Sequence, residues 1–354
     1  MPGKKILIAP LDWGLGHATR CIPIIKHLLK HGNEIFLAGE GSVISLFKKE
    51  FPELITLPLR GYRVEYSKHK NFFFISILMQ VPKILLAILH EQKWLTKQLK
   101  KTSYDLVISD NRYGLHSNKV KSVLITHQLA IISGKGPRID SLIQWFLYKQ
   151  INKFHSCWIP DNEKENNICG TLSNPIKKPL RYRYIGLLSR LENKIASKDG
   201  PILVMLSGPE PQRSILEKIL LDQLNELEQK TVFVRGIPSP NLLVSTRFIE
   251  IHNYLDTEQL SEAMSHASVV ICRSGYSSVM DIIKMRKRAL LIPTPGQTEQ
   301  LHLGLQMQKK GLGILQYQVA VHLKKGLLDC QNLPEIHVNM NFNRIEKALE
   351  DFGI

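Results

Sequence analysis

Arg273-Ser274-Gly275, followed by Asp281 and then by Pro293-Thr294-Pro295-Gly296-Gln297-Thr298-Glu299-Gln300, is the most informative stretch of this chain. Two short apolar runs, Val269 to Cys272 and Ala289 to Ile292, lead into these polar clusters and read as strands. An open α/β sheet places its ligand there, in the crevice beyond the carboxyl ends of its strands. Asp281 stands seven residues after Ser274, about two helical turns, which puts both on one face of a helix predicted to open at Ser277 or Ser278. A carboxylate so placed can accept from both hydroxyls of a ribose. A capping box between Ser278 and Asp281 has the same spacing, and spacing does not decide between the two. Gln297, Glu299 and Gln300 open a further helix that Gly311 ends. Amides and a carboxylate packed this densely suit a polyhydroxy ligand, because a site built on several hydrogen bonds rejects analogues that lack a hydroxyl. Solvated first-turn residues would look the same, since Glu is favourable near a helix N-terminus.

Other strand ends carry weaker signals. The run Pro10-Leu11-Asp12-Trp13-Gly14-Leu15-Gly16-His17-Ala18-Thr19-Arg20 is a glycine-containing loop that opens a helix. Gly14 and Gly16 let the backbone approach a ligand, and the free N–H groups of a helix start favour an oxygen-rich one. His17 stands where it can accept a proton, with Asp12 as the group that orients its ring or caps the turn. Glu40 lies where a dinucleotide fingerprint wants its ribose carboxylate, although Thr19 takes the third glycine position. In the second half, the loop Ser207-Gly208-Pro209-Glu210-Pro211-Gln212-Arg213 offers a hydroxyl, a glycine backbone and a guanidinium fork to a diphosphate. Its two prolines lack N–H groups, so it is no fully donating phosphate cradle. Asp110-Asn111-Arg112 and His127-Gln128 end two further apolar runs.

Strands and helices must position these groups, and the chain alternates them. Lys5 to Pro10, Ile35 to Ala38, Leu54 to Leu57, Asp105 to Ser109 and Ser122 to Thr126 read as strands, with helical periodicity from Ala18 to His31 and from Ser42 to Lys49. Strand, helix, strand in this rhythm means a parallel sheet with right-handed crossovers. Between Cys157 and Arg190 the pattern breaks into prolines, asparagines and a basic cluster, read here as the exit from one domain. It restarts at Ile202 to Leu206, with a helix to about Gln229 and a strand from Thr231 to Arg235. The expected fold is α/β, two doubly wound Rossmann-like domains facing a central cleft, over residues 1–185 and 199–335. A C-terminal helix within 338–354 packs back on the first domain, with Ile345, Leu349 and Phe352 on one face.

The 354 residues suit two domains. Five scattered cysteines with no Cys-x-x-Cys pair, and a start that lacks the pattern of a signal peptide, indicate a reducing, cytoplasmic setting. A formal charge of +16 favours an acidic partner, whether nucleic acid, a phosphorylated ligand or an anionic membrane face. Scattered basic residues without an aromatic-interleaved strand argue against nucleic acid. The apolar stretch Phe72 to Leu89 is broken by Gln80 and Pro82-Lys83, so it does not read as a span. It reads as a core helix or, flanked by Lys68, Lys70, Lys83, Lys93 and Lys97, as a patch that meets an anionic membrane.

Taken together, these residues resemble the two-domain GT-B glycosyltransferases of the MurG-like group, glycosyltransferase family 28. The likeness is strongest over Ile251 to Gly311, where His252-Asn253-Tyr254-Leu255 precedes the Arg-Ser-Gly, Asp281 and the Pro-Thr-Pro-Gly-Gln-Thr-Glu-Gln in family order. Gly14-Leu15-Gly16-His17 matches the N-terminal glycine-histidine motif. The resemblance implies that Asp281 binds ribose, that Tyr254 lies near the phosphates and that the Leu255 backbone reads the base. Ser274 and Gly275 would line the diphosphate, Gln297, Glu299 and Gln300 would face the transferred sugar, and His127 with Gln128 belongs to the acceptor side. Three features depart from the pattern: Asp281 replaces a glutamate, the Ser207 to Arg213 loop carries prolines, and Asp110 to Gly114 does not read like the acceptor loop of the peptidoglycan enzyme.

The expected reaction is transfer of a sugar from a nucleotide diphosphate sugar, uridine-linked, to a hydroxyl acceptor, with lipid-linked acceptors among the candidates. The C-terminal domain would hold the donor. Gly14, Gly16, Asp110, Asn111, His127 and Gln128 of the N-terminal domain would hold the acceptor, with His17 as general base oriented by Asp12. No metal and no cofactor are expected. Helix N-termini with Arg273 or Arg213 would neutralise the leaving diphosphate, and the family implies inversion at the anomeric carbon. The expected location is cytoplasmic, on the inner face of the plasma membrane where the apolar patch docks. A nucleotide-sugar 2-epimerase and a non-catalytic nucleotide-sugar-binding protein are the alternatives.

Overall fold

The structure, a computed structural model, describes residues 3–63, 79–192, 200–237, 243–334, 341–342 and 344–354. They divide into two compact units. The first runs through Ser189 and takes back the chain end from Asn341, and the second spans Arg190 to Pro334. Both are built on parallel sheets with interleaved helices, the two doubly wound α/β domains that the strand and helix rhythm predicts.

The first unit contains β1 (Lys5–Pro10), α1 (Gly16–Lys30), β2 (Glu34–Gly39), α2 (Gly41–Glu50) and β3 (Ile55–Pro58). It continues with α3 (Val81–Lys101), β4 (Leu106–Asp110), β5 (Lys121–Ile125), α4 (Pro137–Ile151), β6 (Ser156–Ile159) and β7 (Tyr182–Tyr184). The strand order is β3-β2-β1-β4-β5-β6-β7. Central strands are apolar on both sides because helices cover both faces, so Ile6, Leu7, Ile8 and Ala9 are all fully buried. Burying each large aliphatic side chain of this kind contributes about 1.5–3 kcal/mol.

Of the stretch from Cys157 to Arg190, all but its last residue stays in the first unit, and the crossing comes only after Ser189. The stretch supplies β6 and β7, and the loop between them is organised by the buried Asp161. That carboxylate accepts from the backbone of Asn162, Ile168 and Cys169 and from the Asn167 and Ser173 side chains at 2.6–3.1 Å. A three-residue edge strand and a loop held by one side chain leave no periodicity to read. The closing helix is Ile345–Glu350, with Ile345 and Leu349 buried and the Phe352 ring edge-on to Trp158.

The second unit contains β8 (Ile202–Met205), α5 (Gln212–Leu227), β9 (Thr231–Val234), β10 (Ile249–His252), α6 (Thr257–His266) and β11 (Val269–Cys272). It continues with α7 (Tyr276–Lys284), β12 (Ala289–Leu291), α8 (Thr298–Lys309), β13 (Ile314–Leu315) and α9 (Leu323–Gln331). The order β10-β9-β8-β11-β12-β13 repeats that of the first sheet. In each sheet the order reverses beside the first strand, between β1 and β4 and between β8 and β11, the switch point where a doubly wound sheet opens its crevice.

Of the apolar stretch Phe72 to Leu89, residues 72–78 lie outside the described residues, as do Lys68 and Lys70. From Val81 onward it is α3, which Pro82 opens at a position where its missing N–H costs nothing. This half is not a core helix: Leu85, Leu86 and Leu89 are 52%, 67% and 53% exposed.

Candidate functional site

At the crest of the first sheet, His17 opens α1 just after the Gly14 turn, and Asp110 is the last residue of β4, so the pair straddles the switch point. His17 Nδ1 lies 2.7 Å from Asp110 Oδ1. Arg20, three residues along the same face of α1, forks both oxygens of Asp110 through Nε and Nη2. Its Nη1 reaches His127 Nδ1 at 2.9 Å. Burial by itself would raise the Asp110 carboxyl, but Arg20 and His17 more than offset it and hold it at about 2. Burial and the Arg20 charge lower His17 against the opposing pull of Asp110, which favours a neutral ring at pH 7. The ring is 15% exposed, and its Nε2 has no protein partner among the described residues. A neutral imidazole with Nδ1 on a carboxylate presents Nε2 as a proton acceptor.

Asp12 does not orient this ring. Its carboxylate accepts from the backbone N–H of Tyr62 at 2.9 Å and of Arg63 at 3.3 Å, which pins the chain beside the glycine loop. Glu40 is no ribose ligand either, because Arg63 and the Gly61 N–H occupy it at 2.7–2.8 Å. Arg112 turns inward: its guanidinium donates to the carbonyls of Pro10 and Arg60 and to Glu91 of α3 at 2.8–3.0 Å. Asn111 takes φ 54° to make this turn and is buried. Gln128 is half-buried, with its N–H on the Thr126 hydroxyl.

In the second unit, Ser207 and Gly208 are exposed after β8, with Gly208 at φ 102°, a conformation that favours glycine. A β-carbon there would stand 3.6 Å from Thr294 Oγ1, so the loops after β8 and β12 approach each other. Helix α7 opens at Tyr276 with Gly275 as its N-cap and no side-chain cap. Asp281 is therefore well inside the helix, too far along to cap it, and the capping-box reading is excluded. Asp281 is buried, and after burial itself its charge is the next cause that raises the Cys272 thiol to about 12. The Ser274 hydroxyl donates to the Gln300 carbonyl at 2.7 Å, and Gln300 Oε1 accepts the Thr294 N–H at 2.8 Å. Gln297 is the N-cap of α8, with Glu299 in its first turn. Tyr254 and Leu255 follow β10, and the capping box of Asp256 with Gln259 opens α6 immediately after them.

The two arginines are corrections. All three nitrogens of Arg213 are bonded, to Glu210, Glu217, the Arg235 carbonyl and Ser214. Arg273 is fully buried and donates to the carbonyls of Ile292, Pro293 and Gln212, its basicity lowered to about 10 by burial. Each guanidinium ties loops together instead of facing a diphosphate.

Residues 224–351 match the family model described as the glycosyltransferase family 28 C-terminal domain. A Sulfurihydrogenibium sp. (strain YO3AOP1) protein named UDP-N-acetylglucosamine--N-acetylmuramyl-(pentapeptide) pyrophosphoryl-undecaprenol N-acetylglucosamine transferase is 23% identical, covering 99% of this chain and 94% of its own. The chain is a glycosyltransferase of GT-B fold whose C-terminal part matches the family 28 domain. Among solved structures, the kitacinnamycin glycosyltransferase aligns with a TM-score of 0.67 at 13% identity over 95% of this chain and 92% of that one. Acinetobacter baumannii MurG aligns with a TM-score of 0.55 at 14% identity over 94% and 92%. Both likenesses are of fold.

The glycosyltransferase thus gathers His17, Asp110 and His127 at one crest, and Ser274, Gly275, Gln300 and the Gly208 loop at the other. Sequence reasoning missed Arg20. Its signal was the three-residue spacing from His17, which puts both on one face of a helix. Glu91 was also missed: a lone acid in an amphipathic helix gives no sign that its partner Arg112 waits across the sheet.

Proposed function

We propose that this glycosyltransferase transfers a sugar from a uridine diphosphate sugar to a hydroxyl acceptor with inversion, without a metal, and with His17 as general base. The observation that carries the reading is the 2.7 Å contact of His17 Nδ1 with Asp110, which leaves Nε2 as the basic nitrogen. The acceptor O–H gives its proton to His17 Nε2 as its oxygen bonds to the anomeric carbon. The bond from that carbon to the diphosphate oxygen breaks, and the diphosphate leaves with the electron pair. The leaving charge meets the start of α7, where Gly275 is the N-cap and a β-carbon would meet open space. Asp281 binds the ribose hydroxyls, Ser207, Gly208, Ser274 and Gly275 line the diphosphate, and Gln297, Glu299 and Gln300 face the sugar. Tyr254 lies near the phosphates and the Leu255 backbone reads the uracil. Gly14, Gly16, Asn111, His127 and Gln128 serve the acceptor.

The name of the Sulfurihydrogenibium relative makes uridine diphosphate N-acetylglucosamine the first donor to try and a lipid-linked diphosphate the first acceptor. An anionic membrane fits the first unit. Leu95 of α3 packs on Leu7, Ala9 and Val107, and Ile151 of α4 packs on Leu124 and Cys157. The register pairs Ala9 with Ser109 and Ser109 with Leu124, so the two helices cover the same sheet face. Each turns apolar side chains outward: Leu85, Leu86 and Leu89 on α3, and Leu142, Trp145 and Phe146 on α4. The Lys149 ammonium lies 3.6 Å from the Trp145 ring centroid, a pairing suited to a negatively charged interface. No helix among the described residues is long and apolar enough to cross a membrane.

The deciding experiment incubates the protein with uridine diphosphate sugars and a lipid-diphosphate acceptor, comparing wild type with His17→Ala. Loss of a general base lowers the rate about a hundredfold or more. A folded His17→Ala enzyme that transfers sugar at the wild-type rate would remove His17 from the mechanism.

A further inference from the structure

Two histidines flank the Asp110–Arg20 ion pair, and we propose that Arg20 is the positioning residue that gives them opposite tautomers, making His17 the base and His127 a hydrogen-bond donor. This rests on the reading of His17 as base given above.

A guanidinium donates and never accepts. Arg20 Nη1 lies 2.9 Å from His127 Nδ1, so that nitrogen carries a lone pair, and the proton of the neutral ring resides on Nε2. His17 faces the reverse. Asp110 is ionised and has no proton to give, so the 2.7 Å between its Oδ1 and His17 Nδ1 requires the ring to supply one. Arg20 Nη2, which carries two hydrogens, also lies 2.9 Å from His17 Nδ1, but the ionised Asp110 approaches that nitrogen more closely, and a lone pair there would face the carboxylate. The proton of His17 therefore sits on Nδ1 and the lone pair on Nε2. One guanidinium, by holding Asp110 from two sides and His127 from the third, decides which imidazole can take a proton from the acceptor. His127 is excluded as a second base.

The groups that face His17 are Arg20 on α1, Asp110 at the end of β4 and His127 after β5. Cys21 and Tyr113, also near Asp110, are held neutral by burial. Arg20 thus opposes protonation of His17 while Asp110 favours it, and removing Arg20 leaves the carboxylate unopposed. Arg20→Met should therefore move the acid limb of kcat/KM upward by about one pH unit or more.

Nitrogen-15 NMR of the full-length protein at pH 8, with His17 and His127 assigned through their alanine variants, reads the tautomers directly and without turnover. The expected wild-type result is Nδ1–H on His17 and Nε2–H on His127. Arg20→Met releases the His127 proton to both nitrogens. If Arg20→Met fails to fold with Asp110 left unpaired, Arg20→Lys keeps the charge. One ammonium cannot hold two carboxylate oxygens and an imidazole together, so His127 becomes a tautomer mixture there too. Nδ1–H on wild-type His127, or Arg20 variants with wild-type tautomers and an unmoved acid limb, would overturn this inference and leave His17 as base untouched. A folded His17→Ala enzyme at full rate sinks the underlying reading instead.

Discussion

The hydroxyl of Ser274 donates to the main-chain carbonyl of Gln300 at 2.7 Å and so joins the loop after β11 to the first turn of α8. The same Gln300 accepts the Thr294 N–H through its side chain, so one residue braces two strand-end loops. Ser274 is fully buried, which keeps water from replacing the bond. Ser274→Ala should lose about 1 kcal/mol of unfolding free energy in urea and bind uridine diphosphate more weakly. Wild-type values for both would show that the brace contributes nothing.

Asp281 is the sharper test of the donor site. Its depth in α7 excludes capping, and its buried charge acts on the Cys272 thiol. A hydrogen bond to a charged group contributes about 1.5–3 kcal/mol, so Asp281→Ala should weaken uridine diphosphate binding tenfold or more by calorimetry. Equal affinity would make Asp281 a residue of the fold alone.

Asp110 links the site to acid stability. Its carboxyl is lowered from the ordinary 3.8 to about 2, so the stability it contributes is present in full above about pH 4 and is lost as pH falls toward 2. The shift corresponds to about 2 kcal/mol at neutral pH. Urea midpoints measured from pH 6 to pH 2 should fall for wild type across that window. Asp110→Asn should start lower, because Arg20 is left buried without its counter-charge, and should fall less steeply. Parallel curves would remove Asp110 from the linkage.

Flotation with anionic vesicles reads the membrane reading of α3 and α4. Wild type should float at low salt and be released as salt screens the basic residues. Replacing Leu85, Leu86 and Leu89 together by Ser should abolish most of the binding with little loss of stability, since all three are already exposed. Equal flotation by the variant would move the contact elsewhere.

Much of the fold was legible because its signals are local. Apolar runs such as Ile6 to Ala9 announce buried parallel strands wherever they occur, and the repeated strand–helix rhythm announces two doubly wound units. Tyr182–Tyr184 was not legible, since a three-residue edge strand has no periodicity of its own. The asparagines and prolines before it read as a linker, whereas Asp161 gathers the N–H groups of Asn162, Ile168 and Cys169 into the domain. In the site, strand-end position and the family motifs marked His17, Asp110, Ser274, Asp281 and Gln300. The partners were a different matter. Asp12 is five residues from His17 and looks like its orienting acid, yet Asp110, 93 residues away in sequence, holds the ring.

The sequence by itself determined where polar groups would stand, because strand ends and helix starts follow from nearest-neighbour chemistry. Only the tertiary structure decided what each group faces. It turned Arg213 and Arg273 inward to carboxylates and carbonyls, gave Asp12 to the Tyr62 backbone, and set Arg20 between Asp110 and His127. The physical reason is desolvation. A charge taken from water must find a partner within hydrogen-bond reach, and in a parallel sheet that partner comes from a neighbouring strand whose distance along the chain no local pattern records.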